Sequence, residues 1–154
     1  MTALAAPTPQ HDPGTIPAGL YTALNGMSLN TPHGGGSDWF LDTGATLHMA
    51  SHPGILSSHT PSTVPRHIVV GNGRHMTSSF TGTSIIPTVS SSLRLNNVLI
   101  APQLVKNLIS VRALTRDNSV SVEFDPWGFS IKDLCTKMAL LRCDSSGELY
   151  PLQT

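Results

Sequence analysis

Residues 39–49 read WFLDTGATLHM. An unbroken apolar triplet, Trp39-Phe40-Leu41, runs into Asp42, and Thr43-Gly44 follow. A short apolar run bounded by turn residues reads as a buried strand, so Asp42 stands where that strand leaves the core. Two readings of the carboxylate differ in kind. In the first, Asp42 caps an ordinary turn out of a strand and Gly44 supplies a positive φ. In the second, it is the working group of an aspartic protease. The hydroxyl of Thr43 then hydrogen-bonds across to fix a tight loop, and Gly44 lets backbone N–H groups approach the carboxylate with no side chain in the way.

The sequence around this stretch reads as β almost throughout. His67 to Val70 leads into Gly71-Asn72-Gly73, and Arg74 to Phe80 follows. Asn-Gly between two strand-like runs is a strong hairpin signal, because both central residues of a type I′ turn need positive φ. Ile85-Ile86, Leu93 to Leu95 and Val98 to Ile100 are further short strands. Val120, Val122 and Phe124 alternate, Asp125-Pro126-Trp127-Gly128 turns, and Phe129 and Ile131 alternate again. A final pair, Met138 to Cys143 and Glu148 to Tyr150, brackets Asp144-Ser145-Ser146-Gly147. One segment, Asn107 to Arg116, has helical spacing, with Leu108, Val111 and Leu114 on one side. Many short strands with turns between them predict an all-β barrel or sandwich with one short helix.

The chain of 154 residues is 12% charged and carries no formal net charge. It therefore lacks the basic stripe by which proteins hold nucleic acid directly. Its apolar runs are too short to span a membrane. MTALAAPTPQHDPG has no basic n-region or long apolar stretch, so no signal peptide is expected at the start. Residues 1–36 are rich in Pro and Gly and read as a disordered linker, although LYTALNGMSL carries a hairpin signal at Asn25-Gly26. The predicted organisation is this linker, a β domain over 37–124, and a β-hairpin extension over 125–154.

Several stretches together carry a family resemblance. WFLDTGATLHM, IVVGNG, NNVLIAPQLVKNLISV and FSIKDLCTKMALLRCDSSGELYPL occur in that order. The combination resembles the protease region of copia-type long-terminal-repeat retrotransposon polyproteins, especially those of plants, and covers about residues 20–154. Neither a Cys-x-x-Cys zinc knuckle nor an integrase finger is included. The resemblance implies a closed, retropepsin-like β-barrel that pairs as a symmetric homodimer and cleaves extended segments of its own polyprotein. It also implies a cytoplasmic setting in virus-like particles. Asp42 would be the catalytic carboxylate, with Thr43 and Gly44 completing its loop. Val70, Gly71, Asn72 and Gly73 would form the flap over the substrate. Leu108-Ile109 would pack beneath the active-site loop, and Val120, Val122 and Phe124 would build the dimer interface. Ser110 follows the apolar pair where retroviral enzymes have glycine. The competing reading is a catalytically inactive, retrotransposon-derived β-barrel that serves as a dimerisation or binding module.

The remaining polar residues suggest no further chemistry. The chain has seven histidines and two cysteines, Cys135 and Cys143. His48, His52, His59, His67 and His75 lie far from the cysteines in sequence, and no metal-ligand spacing results. The resemblance implies that His48 supports the Asp42 loop structurally, and the other histidines are expected to lie on the surface. Two cysteines make no disulfide framework, so a reducing compartment is the default. Gly34-Gly35-Gly36 lacks the Lys-Ser or Lys-Thr of a phosphate loop, and no Gly-x-Ser-x-Gly elbow accompanies the serines. No cofactor or metal is expected.

Overall fold

The computed structural model describes residues 38–69, 73 and 75–153. The expected linker at 1–36 and the expected flap residues Val70, Gly71 and Asn72 lie outside them. In chain order the elements are β1 (Trp39–Asp42), β2 (Met49–Ala50), a 3-10 turn (Pro53–Ile55), β3 (Ser58–Val69), β4 (His75–Pro87), β5 (Ser92–Ile100) and β6 (Asn107–Ser110). Then follow α1 (Val111–Asn118), β7 (Val120–Asp125), β8 (Gly128–Asp133), β9 (Ala139–Asp144) and β10 (Tyr150–Leu152).

The strands form two sheets. A seven-stranded sheet runs β10-β1-β6-β2-β5-β4-β3, and a three-stranded sheet runs β7-β8-β9. The fold is mostly β with one short helix, as the strand-and-turn pattern predicts. The ladders do not close into a ring: among the described residues β10 and β3 end the larger sheet. Side-chain packing joins the sheets instead. Trp39 and Leu41 share one buried cluster with Leu95, Ile109, Leu114, Val120, Phe129 and Ile131. Phe40 points the other way, into a second cluster with Met49, Leu99, Leu108 and Leu149. A strand buried on both faces has no polar positions to alternate, which is why residues 39–41 are uniformly apolar.

Two local expectations change, and one stretch without a strand signal proves to be a strand. The helix begins at Val111, not Asn107, because Asn107–Ser110 is a fully buried strand running parallel to β1. Strand and helix meet at Ser110, whose extended backbone (φ −63, ψ 114) and side chain cap the helix. The stretch from Ser58 to Arg66, with its serines and Pro61 and Pro65, belongs to the outermost strand of the sheet. An edge position tolerates proline, since no inner neighbour needs both rows of donors. The two short runs at 93–95 and 98–100 are one strand, kinked at Asn97 with φ 55.

After residue 124 the chain supplies β8, β9 and β10, and β10 returns to pair antiparallel with β1, Leu41 opposite Tyr150. The turn into β8 follows the residues quoted for it: the Trp127 N–H donates to Asp125 Oδ1 at 2.9 Å. Arg142 on β9 reaches across to the same carboxylate, its Nη2 donating to Oδ1 at 3.0 Å. Gly128 has φ 152, and a Cβ there would stand 2.1 Å from the backbone oxygen of Cys143. Gly128→Ala is therefore expected to destabilise the fold by about 2 kcal/mol, read as a lowered urea midpoint. No helix among the described residues is long and apolar enough to cross a membrane.

Candidate functional site

The site begins with the end of β1. Leu41 is buried, Asp42 is half-buried, and Thr43 and Gly44 are exposed. Asp42 Oδ1 accepts the Gly44 N–H at 2.7 Å and the Ala45 N–H at 3.2 Å. Two backbone donors on one oxygen fix the carboxylate's orientation. Both readings of Asp42 predict a side chain that closes a turn; only the second gives the exposed Thr43-Gly44 edge a use.

The neighbouring strand holds this loop from below. In the parallel pairing of β1 and β6, Leu41 lies opposite Ile109 and Asp42 opposite Ser110. Ser110 is fully buried and makes three contacts that tie separate elements together. Its hydroxyl donates to the Ala45 carbonyl at 2.7 Å and accepts the Ala113 N–H at 3.2 Å, while its own N–H donates to His48 Nδ1 at 3.2 Å. A glycine here would keep only the last of these bonds. Ser110→Ala is expected to lower stability by about 1–2 kcal/mol, in the range for a lost N-cap and a buried carbonyl left unpaired, measured by denaturant melts.

His48 is fully buried under the loop. Because Nδ1 accepts the Ser110 N–H, the neutral ring carries its proton on Nε2, which has no hydrogen-bond partner among the described residues. Burial holds its pKa down, to about 4; Asp117 opposes this and Arg116 adds to it. Asn107, one strand position before the apolar pair, fastens the base of the site. Its Oδ1 accepts from the N–H and hydroxyl of Ser51 at 2.9 and 3.0 Å, and its Nδ2 donates to the Asp38 carbonyl at 3.0 Å.

The structure thus places Asp42, Thr43 and Gly44 on one loop, with Leu108 and Ile109 in the strand beside it. Of the expected flap, Gly73 is described, at φ +78, between β3 and β4, where Val69 pairs with His75. Val120, Val122 and Phe124 lie on β7, an edge of the three-stranded sheet. Among the described residues, no three His, Cys, Asp or Glu side chains gather as a metal site. Sequence reading missed the capping role of Ser110, for which a serine ahead of an apolar helical run was the available signal. It also missed the cavity of about 160 Å³ that opens beside Asp42 and reaches the C-terminal segment at Glu148 to Tyr150.

A β fold with this loop defines a class. The chain belongs to the family described as the Pol polyprotein, beta-barrel domain, whose model matches residues 39–119. It is similar to the "Retrovirus-related Pol polyprotein from transposon RE2" of Arabidopsis thaliana, 42% identical over 124 residues. It is 41% identical over the same length to the corresponding polyprotein from transposon RE1 of that plant. Each alignment covers 80% of this chain and 8% of the polyprotein, so the chain corresponds to a small part of those relatives. No solved structure matches it. The chain carries a Pol polyprotein beta-barrel domain and is similar to a short region of these transposon polyproteins.

Proposed function

We propose that this region is the aspartic endopeptidase of a copia-type retrotransposon. It acts as a homodimer with one Asp42 from each chain and cleaves extended segments of its own polyprotein. The observation that carries the reading is Asp42 itself, aimed out of a doubly buried strand and oriented by the Gly44 and Ala45 N–H groups. A loop held from below by Ser110 provides the fixed geometry that such chemistry requires.

The chemistry explains why a second chain is needed. One carboxylate, as base, activates a water; the other donates a proton to the scissile carbonyl. Two carboxylates about 3 Å apart repel by roughly 5 kcal/mol at an effective dielectric of ~20, so the pair retains one shared proton, as aspartic proteases do in general. The chain has one Asp-Thr-Gly. A retropepsin-like pairing brings the two loops together across a two-fold axis, with the exposed Thr43 side chains at the contact. An extended peptide then lies between the loops and the β3–β4 hairpins and adds its backbone as a strand.

Peptide cleavage near pH 6 should rise more steeply than linearly with protein concentration below the dimer dissociation constant. Strictly linear turnover down to nanomolar protein would remove the dimer from the proposal. The competing reading is an inactive barrel used for dimerisation or binding. It would be supported by a well-folded chain that cleaves no peptide at any concentration.

A further inference from the structure

A chain of hydrogen bonds runs inward from the Asp42 loop. Asp42 Oδ1 accepts the Ala45 N–H, the Ala45 carbonyl accepts the Ser110 hydroxyl, and the Ser110 N–H donates to His48 Nδ1. The chain then has an open end at the far side of the ring. There Nε2 carries the proton, and it is the one buried side-chain nitrogen or oxygen among the described residues without a hydrogen-bond partner. A buried donor left unpaired is costly, and in native proteins such atoms nearly always meet a protein group or an ordered water. What stands beyond the ring is set by β5. The His48 carbonyl accepts the Leu99 N–H at 2.9 Å, which fixes the histidine against the second half of that strand. The end of α1 is fixed against the first half: the Asn118 side chain accepts the Arg94 N–H at 2.7 Å and donates to the Arg94 carbonyl at 2.9 Å. Asp117 precedes Asn118, and its carboxylate accepts from the Asn96 side chain, between those two anchors. Its side chain is only 15% exposed, against 65% for Arg116, which pairs with it at 2.7 Å. Asp117 and Arg116 are the charged groups that act on the His48 ring, Asp117 the more strongly.

We infer that Asp117 is a positioning residue for the Asp42 loop, its carboxylate taking the His48 Nε2–H through one buried water. The water accepts from the ring and donates to the carboxylate, the polar partners such a site requires. A proton held on Nε2 leaves Nδ1 free to accept, which is the form that the Ser110 N–H needs. Without the carboxylate the ring can turn or change tautomer, and the slack passes through Ser110 to Ala45 and Asp42. Arg116 grips the same carboxylate from the solvent side and steadies it there. The link exists whether or not the protein cleaves peptides; only its effect on turnover rests on the proposed proteolysis.

The test compares wild type, Asp117→Asn and Arg116→Gln by NMR near neutral pH, with nitrogen labels in the histidine rings. In wild type the His48 Nε2 proton should be visible and slow to exchange, and Nδ1 should be unprotonated. In Asp117→Asn that proton should shift and exchange roughly tenfold faster, and the Ser110 and Ala45 amides should quicken by a similar factor. The amides of Leu95 and Ile131, elsewhere in the core, should keep their rates; a general loss of stability would raise all of them together. Arg116→Gln breaks the exposed ion pair but keeps the carboxylate, so the ring proton should stay as in wild type. An unchanged His48 proton in Asp117→Asn, or an equal change in Arg116→Gln, would overturn the link. A shifted ring proton with unaltered exchange at Ser110 and Ala45 would overturn the positioning role. In peptide cleavage, Asp117→Asn should lower kcat roughly tenfold at unchanged KM, as for a group that orients the machinery without binding substrate. A wild-type chain that cleaves nothing would sink the protease reading, and the ring proton and amide rates would still decide the link.

Discussion

Asp42→Asn is expected to abolish peptide cleavage, by at least about 10³-fold, while the chain folds as before. The two expectations have separate grounds. An asparagine keeps Oδ1, so the bonds from the Gly44 and Ala45 N–H groups survive and the loop retains its turn. It cannot ionise, so it neither activates water nor carries the shared proton of the dyad. Turnover measured beside circular dichroism and a thermal melt separates the two. A variant that melts like wild type and is inactive locates the chemistry at Asp42. A variant that still cleaves moves it elsewhere.

The second large effect is on stability against pH, and it originates beneath the loop. The His48 pKa is pushed from about 6.5 down to about 4, chiefly by burial. A histidine with a lowered native pKa binds its proton more readily in the unfolded chain. The stability it allows is therefore complete above about pH 6.5, and it is lost as pH falls toward 4. The shift corresponds to about 3 kcal/mol. Protonation would also place a hydrogen on Nδ1, where the Ser110 N–H now donates. Two charged groups act on the ring from α1, Asp117 favouring the proton and Arg116 opposing it. Melting temperature should fall steeply between pH 6.5 and 4.5, and His48→Asn, which can still accept from Ser110, should flatten that dependence. An equal slope in the variant would assign the acid sensitivity to other groups.

The residues that announced themselves in the sequence are those whose environment is local. Val120, Val122, Phe129 and Ile131 alternate because β7 and β8 each show one face to the core, and Asp125 to Gly128 turn as their residue types require. Asp42 was readable for the same reason, at the end of an apolar run. Asn107–Ser110 misled because Leu108, Val111 and Leu114 have helical spacing, whereas a parallel strand buried on both faces shows no period of its own. β3 was hidden because an exposed edge strand holds mostly polar residues and even prolines. The return of Tyr150–Leu152 to β1 depends on partners more than a hundred residues away, which no local pattern encodes. The buried bonds of Ser110 and His48 belong to the same class, since each joins segments about sixty residues apart.

The dependence of one site on two copies of Asp42 can be measured by mixing. Wild-type protein is held constant above its dimer dissociation constant, and Asp42→Asn is added in increasing amounts. If each site needs an Asp42 from both chains, mixed dimers are dead, and cleavage should fall to about half at equal amounts and to about a tenth at ninefold excess. Cleavage that stays constant or rises as the variant is added, with mixed dimers verified by mass, would show that one Asp42 suffices and would contradict the shared site.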